Sequence, residues 1–387
     1  MSEKKISFSH VGKYATYIAL VAVLVIFGAL TKGRIFTPMN ITNNFIQNGY
    51  LFLLTISLFF CILTGNTDLS VGSIIGLVGA VIGILYVNLG VSMIVAVLCG
   101  LLVGILIGAF HGVLITRFGF APFIVTLAGN FAYRGVVQYL LQGGTLGPLA
   151  PQIKSFSNGY ILSDLRVAGI NLICLLVPIV VAVTVLLSER HKQREAEKYG
   201  MKKASALSVI GRTVAITLVA AVISYFWNAH KGVPIIVVCL AVIIAIYNFI
   251  ANNTVLGRHV YAVGGNRAAA ELSGVNVKRV MFLVFFNSAF VAAIAALVVA
   301  GRVGATSTNA GDGYQMDAIA ACYIGGCAGS GGSGSLIKAI VGAFVVSILL
   351  NGMTLMGLGS DVQQMVKGLV LLAAVTFDVF ARSRSEG

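Results

Sequence analysis

The sequence predicts an all-α integral membrane protein, a polytopic helical bundle with about 10 to 12 transmembrane helices, some of them broken. Three observations predict it. Of the 387 residues, 58% are hydrophobic and only 10% charged, with a mean hydropathy of +0.97, whereas a soluble domain keeps roughly a quarter of its residues charged. Apolar runs recur along the whole chain, many close to the ~20 residues that carry a helix across the hydrocarbon of a bilayer. The 26 Lys and Arg residues sit in short polar segments between those runs.

Taken in order, the runs mark spans near 14–30, 49–64, 71–87, 91–116, 121–141, 171–187, 213–227, 233–251, 280–300, 315–328, 336–356 and 365–380. Lys4, Lys5 and Lys13 before the first run look like the start of a signal peptide. Thr31-Lys32-Gly33-Arg34 follows in place of a small-x-small cleavage site, so the run reads as a retained first span. With the N-terminus inside, 18 basic residues fall on the cytoplasmic side, 7 outside, and Arg134 lies within a span. Lys and Arg are retained on the cytoplasmic side, which selects this orientation. An even number of spans then returns the C-terminus to the cytoplasm.

The chain reads as one transmembrane domain, residues 1–387, with two large cytoplasmic polar segments at 188–212 and 257–279. The first, with its mixed charges, reads as a solvated helix. The second carries Arg258, Arg267, Lys278 and Arg279, and a short helix is expected in its middle. Asn266 suits the N-cap, Ala268 to Ala270 favour helix, and Gly274 stands where a glycine stop belongs. A cationic hairpin with a small helix at its turn is shaped to be gripped by another protein.

The net charge of +14 does not point to nucleic acid, since no basic face with interleaved aromatics accompanies it. Cys61, Cys99, Cys174, Cys239, Cys322 and Cys327 all lie in apolar segments without C-x-x-C spacing, so buried free thiols are expected and no metal site. Gly329–Gly334 matches G-x-G-x-x-G without a surrounding βαβ unit, and no G-x-x-x-x-G-K-[ST] occurs. The five histidines are scattered, with no nucleophile and base paired. No catalytic residue, cofactor or metal is therefore expected, and the chain has no ATP site of its own.

Gly100, Gly104, Gly108 and Gly112 repeat at intervals of four within span 91–116. They form one smooth helix face, which reads as a packing surface for another helix. Two glycine-rich polar breaks interrupt the apolar pattern in corresponding places of the two halves, Thr64–Gly72 and Gly325–Ser335. Backbone leaves its helix at membrane depth only where protein or a water-filled cavity satisfies it, and paired breaks point to a transport pathway. The competing reading makes each a cytoplasmic turn between short helices. Asp68, between apolar runs, either lines that pathway or caps the following helix. Arg134 and Asp317 either face a polar cavity or, for Arg134, snorkel.

The stretch Leu63-Thr64-Gly65-Asn66-Thr67-Asp68-Leu69-Ser70-Val71-Gly72 resembles the TGG-x-DLSVG signature of bacterial ABC sugar permeases of the ribose, galactose and xylose type, with Asn66 in place of its second glycine. Tyr261–Asn266, Ala269-Ala270 and Leu272–Val277 resemble the ATPase-docking loop of the same family. Gly301–Ala305, Met316–Ala321 and Gly325-Gly326 make a third match. The extra spans and charged stretch around 188–232 look more like the xylose, multiple-monosaccharide branch.

The resemblance implies a permease homodimer in the cytoplasmic membrane of a bacterium, in contact with membrane lipid. It also implies a cytoplasmic ABC ATPase with two nucleotide sites and an extracellular or periplasmic sugar-binding protein as partners. Gly264, Gly265, Asn266, Ala269, Ala270, Glu271, Ser273 and Gly274 would form the coupling helix and its flanks. A bulky residue at Gly265 or Gly274 would then abolish coupled uptake. Asn66, Asp68, Asn130, Arg134, Asn287, Tyr314 and Asp317 are candidates to line the substrate pathway, with Gln138. Competing readings are a branched-chain amino-acid ABC permease, an ion-coupled secondary carrier using Asp68, Arg134 and Asp317, and a membrane-embedded transferase.

Overall fold

The computed structural model describes residues 8–167, 169–201 and 205–383. Lys4, Lys5, Lys202, Lys203 and Arg384, which carry part of the charge asymmetry, lie outside the described residues. In chain order the helices are α1 (Phe8–Leu30), α2 (Pro38–Leu63), α3 (Val71–Gly83, continued by a π turn to Asn88), α4 (Met93–Thr116), α5 (Pro122–Leu141), α6 (Pro151–Asn158), α7 (Leu172–Lys198) and α8 (Ala206–Ala229). They continue with α9 (Ile235–Asn253), α10 (Val255–Gly265), α11 (Arg267–Leu272), α12 (Val277–Val303), α13 (Tyr314–Ile324), α14 (Leu336–Leu355) and α15 (Ser360–Ser383). Among the described residues the only ladders are two-residue pairs: β1 (Thr145–Leu146) with β4 (Thr306–Ser307), and β2 (Arg166–Val167) with β3 (Ile170–Asn171). The molecule is a polytopic helical membrane protein.

Local chemistry sets many of the helix starts. Pro38, Pro122 and Pro151 open α2, α5 and α6, where the missing N–H costs nothing. Asn171 accepts the Ile173 and Cys174 amides at the head of α7, and Thr254 accepts the Gly257 amide at the head of α10. These caps satisfy donors that have no partner within the helix.

Among the described residues, eight helices are long and apolar enough to cross a membrane. Their burial separates core from rim. The most apolar stretch of α2 is 94% buried, against 6% for α8. A helix apolar all round that buries every face belongs at the centre, and α12, α13 and α14 pack around α2. The α7–α8 pair lies at the rim and presents apolar side chains such as Leu176, Ile179, Leu218 and Val219 outward. Because lipid is as apolar as leucine, close backbone packing holds such helices together. The α4 glycine face supplies it against α12. A Cβ on Gly108 would stand 2.7 Å from the Phe286 carbonyl oxygen, and one on Gly112 2.6 Å from the Phe282 ring.

Several expected spans differ from the helices observed. The second was expected from residue 49, yet α2 starts at Pro38. Polar residues in this added stretch pair within the bundle: Asn40 and Asn351 exchange amide hydrogen bonds (2.8 and 3.1 Å), and Asn44 donates to Ser347 (3.3 Å). The span expected at 315–328 is the 11-residue α13, which rises only ~16 Å and so reaches about halfway across the hydrocarbon. Much of 188–212 extends α7 and opens α8, with Glu189 taking Lys192 at 3.1 Å and Arg212 at 3.9 Å. Of the six free cysteines, expected to be buried, Cys99 and Cys239 are only half-buried.

Candidate functional site

The two breaks and the α10–α11 turn, far apart in sequence, meet as bare backbone. Leu63 ends α2, and its carbonyl accepts the Gly332 amide at 2.8 Å. Gly264 lies against the same place: a Cβ there would collide with the Leu63 oxygen and stand 2.6 Å from the Gly332 nitrogen. A Cβ on Gly331 would stand 2.7 Å from the Gly65 nitrogen and 2.9 Å from the Gly264 oxygen. Tyr261 on α10 donates to the Gly334 carbonyl at 3.0 Å. Gly65, Gly331 and Gly332 have φ of +71°, +89° and +71°, a region costly for residues with a Cβ. Three chain segments can approach this closely only because side chains are missing at the crossing.

From that crossing α11 projects outward. The Asn266 carboxamide oxygen accepts the Ala269 amide at 2.9 Å, and Gly274 has φ +83° just beyond the Ser273 cap. Ala270 is buried, whereas Gly265, Asn266, Ala269, Glu271, Ser273 and Gly274 are exposed. Leu272 is 90% exposed at the apex. A leucine so exposed on a short polar element costs free energy in water unless something covers it.

Asp68 lies behind the first break, with no exposed surface. Its Oδ1 accepts the Ser70 amide (2.9 Å) and hydroxyl (2.6 Å), and its Oδ2 accepts the Ser288 hydroxyl of α12 at 2.7 Å. Ser57 of α2 donates in turn to the Ser288 carbonyl at 3.0 Å. Helix α3 begins at Val71 with Ser70 as its N-cap residue, so Asp68 bonds the backbone one residue ahead of the helix, where the capping reading puts it at the helix start, and ties that corner to α12. Among the described residues no cation pairs with it.

A family model described as branched-chain amino acid transport system / permease component matches residues 40–375. The chain belongs to that family. It is similar to the xylose transport system permease protein XylH of Haemophilus influenzae, 35% identical over 94% of this chain and 95% of that one. It is also similar to XylH of Escherichia coli K12, 33% identical over 95% of this chain and 91% of that one. The ribose import permease protein RbsC of Bacillus subtilis is 31% identical over 97% of this chain and 96% of its own. No solved structure matches.

The fold does not gather the candidate pathway residues of this permease component around one cavity. Asn287 accepts the Tyr247 hydroxyl at 2.5 Å beside a cavity of about 170 Å³ that Phe60 also lines. Asp317 pairs with Lys367 at 2.9 Å and lines a separate cavity of about 370 Å³ between α13, α14 and α15. Asn130 accepts the Ser73 hydroxyl, and the Asn66 amide bonds back to the Thr64 carbonyl at 2.8 Å. Tyr314 stacks on Tyr50 with centroids 4.0 Å apart. Arg134 donates to the Thr308 and Ala310 carbonyls and pairs with Asp312 at 2.9 Å, fastening α5 to the loop before α13.

Sequence reasoning missed Ser57, Ser288 and Lys367. Serines in apolar helices carry no periodic signal, and their partners lie 231 and 220 positions away. Lys367 is one of the seven outer-side basic residues of the topology reading, which assigns it no partner.

Proposed function

We propose that this chain is the transmembrane subunit of an ATP-driven sugar importer, passing a monosaccharide of the xylose, galactose or glucose kind inward across the cytoplasmic membrane. ATP hydrolysis occurs on a separate cytoplasmic subunit, and an external binding protein delivers the sugar to a permease dimer. The observation that carries the reading is the form of the α10–α11 element. Its exposed tip, Leu272 at 90% exposure, suits the cleft of a partner, and its root at Gly264 touches both glycine-rich breaks. A push on α11 therefore has a stiff backbone path to the ends of α2 and α3 and to the start of α14. The xylose and ribose permeases to which the chain is similar support a sugar over the amino acid of the family description.

The test is Leu272→Glu in the chain co-expressed with its ATPase and binding protein. ATP-dependent uptake of labelled D-xylose and D-ribose should fall at least tenfold while membrane insertion is unchanged. Full uptake by this variant would refute the docking assignment. In the wild type, uptake that survives ATP depletion but collapses with the proton gradient would favour the secondary-carrier reading. Uptake of leucine but no sugar would favour the branched-chain reading.

A further inference from the structure

Where the α4–α5 turn meets the α11–α12 turn, a cavity of about 340 Å³ is lined by Arg117, Arg267 and Lys278 together with Phe118, Phe120 and Met281. The three cations come from three different elements. No Asp or Glu lines the cavity, and none of the three joins an ion pair among the described residues. Lys278 also stands in the first turn of α12, where the helix dipole adds positive potential. Like charges converging on one hollow repel one another unless an anion enters it.

The approach to this hollow says which anion. Leu102, Leu106, Phe110 and Val113 are all exposed, and their spacing sets them on one face of α4 that ends at Arg117. Phe118, 63% exposed, and Phe120, 53% exposed, flank the mouth, with Phe123 and Ile124 exposed at the foot of α5. On a membrane protein an exposed apolar stripe of this length faces acyl chains. A free inorganic anion has no use for it, and neither does an acidic protein segment.

We propose that this cavity is a headgroup site for an anionic phospholipid. Arg117, Arg267 and Lys278 hold the phosphate, and the acyl chains lie along the exposed faces of α4 and α5. Guanidinium groups suit phosphate oxygens through paired N–H donors, and basic hollows between membrane helices take such headgroups. The bound lipid bridges the α4–α5 turn to α11, steadying the element beside the glycine crossing. The inference rests only on the membrane location and stands whatever solute the permease carries.

The experiment uses the full-length chain, delipidated in neutral detergent. Dioleoylphosphatidylglycerol or dioleoylphosphatidylcholine is then added, and retained lipid is read by native mass spectrometry and stability by melting temperature. Phosphatidylglycerol should be retained and should raise the melting temperature above the level reached with phosphatidylcholine. Each of Arg117→Gln, Arg267→Gln and Lys278→Gln should weaken its binding roughly fivefold, and the triple variant about a hundredfold. Lys32→Gln with Arg34→Gln, in the turn between α1 and α2, should bind as wild type does. Equal retention of the two lipids by the wild type would overturn the proposal, as would undiminished phosphatidylglycerol binding by Arg117→Gln. Inorganic phosphate that reproduced the thermal shift at matched concentration would also overturn it, by making the site one for a free anion. Should the triple variant fail to fold, the single variants and the phosphate comparison still decide.

Discussion

Asp68 is a carboxylate sealed inside the bundle and held by three donors, two of them from its neighbour Ser70. Charged hydrogen bonds of this kind are worth about 1.5–3 kcal/mol each, and a buried acceptor stripped of a donor costs about 1–3 kcal/mol. Among the described residues Ser288 is the only donor to Oδ2, and Ser288→Ala removes it along with the hydroxyl beside Ser57. It is expected to destabilise the protein by about 2 kcal/mol. Ser57→Ala, which leaves every bond to Asp68 in place, should cost only about 1 kcal/mol. Thermal unfolding in detergent of the two variants checks the order, and equal losses would mean that Ser288 does not support the carboxylate. The conspicuous acid was legible in the sequence as an ionisable group in a polar break, with a backbone partner close by as one of its two readings. Its link to α12 was not, because nothing local to Ser288 marks it as a partner.

At the scale of elements, the α4–α12 seam shows how glycine spacing becomes packing. Gly104 and Gly108 bring α4 against Ala293, Ala289 and Phe286 of α12, with α12 presenting Ala292, Ala293, Ala295 and Ala296 as a run of small buried side chains. Overfilling such a contact costs about 1–3 kcal/mol, and more where the neighbour is backbone. Gly108→Leu is therefore expected to lower stability by at least about 2 kcal/mol. Gly135→Ala on α5, where a Cβ meets nothing within 4 Å, should be neutral or slightly stabilising, since alanine favours helix over glycine by about 1 kcal/mol. Melting temperatures of the two variants test this, and a harmless Gly108→Leu would show that the seam is loose. The periodic glycines announced a packing face in the sequence. The partner helix, more than 150 residues later, was visible only in the fold.

Across the whole molecule, the glycine crossing divides α10–α11 into an inward root and an outward tip. Gly264→Val places methyls where the Leu63 carbonyl and the Gly332 amide already meet. It should cost about 2–3 kcal/mol in stability as well as ATP-driven uptake. A Cβ on Gly265 meets nothing, so Gly265→Val should leave thermal stability close to wild type and lose uptake only through the partner surface. Parallel melting curves and uptake assays separate the two positions. Equal stability of both variants would show that the crossing carries no strain. The sequence marked both glycines as one motif, because residues side by side share a local pattern while their directions depend on which segment lies opposite.

By itself the sequence determined that the chain is a helical membrane protein, where its polar breaks fall, and where α11 is capped and stopped. Those properties follow from transfer free energy and from hydrogen bonds between near neighbours, which a linear pattern records. Only the tertiary structure decided that the two breaks and Gly264 form one contact, that Asp68 is answered by Ser288, and that α2 extends back to Pro38 on paired asparagines. Each depends on groups brought together from distant parts of the chain. Burial and pairing of that kind belong to the packed bundle and leave no trace in the local order of residues.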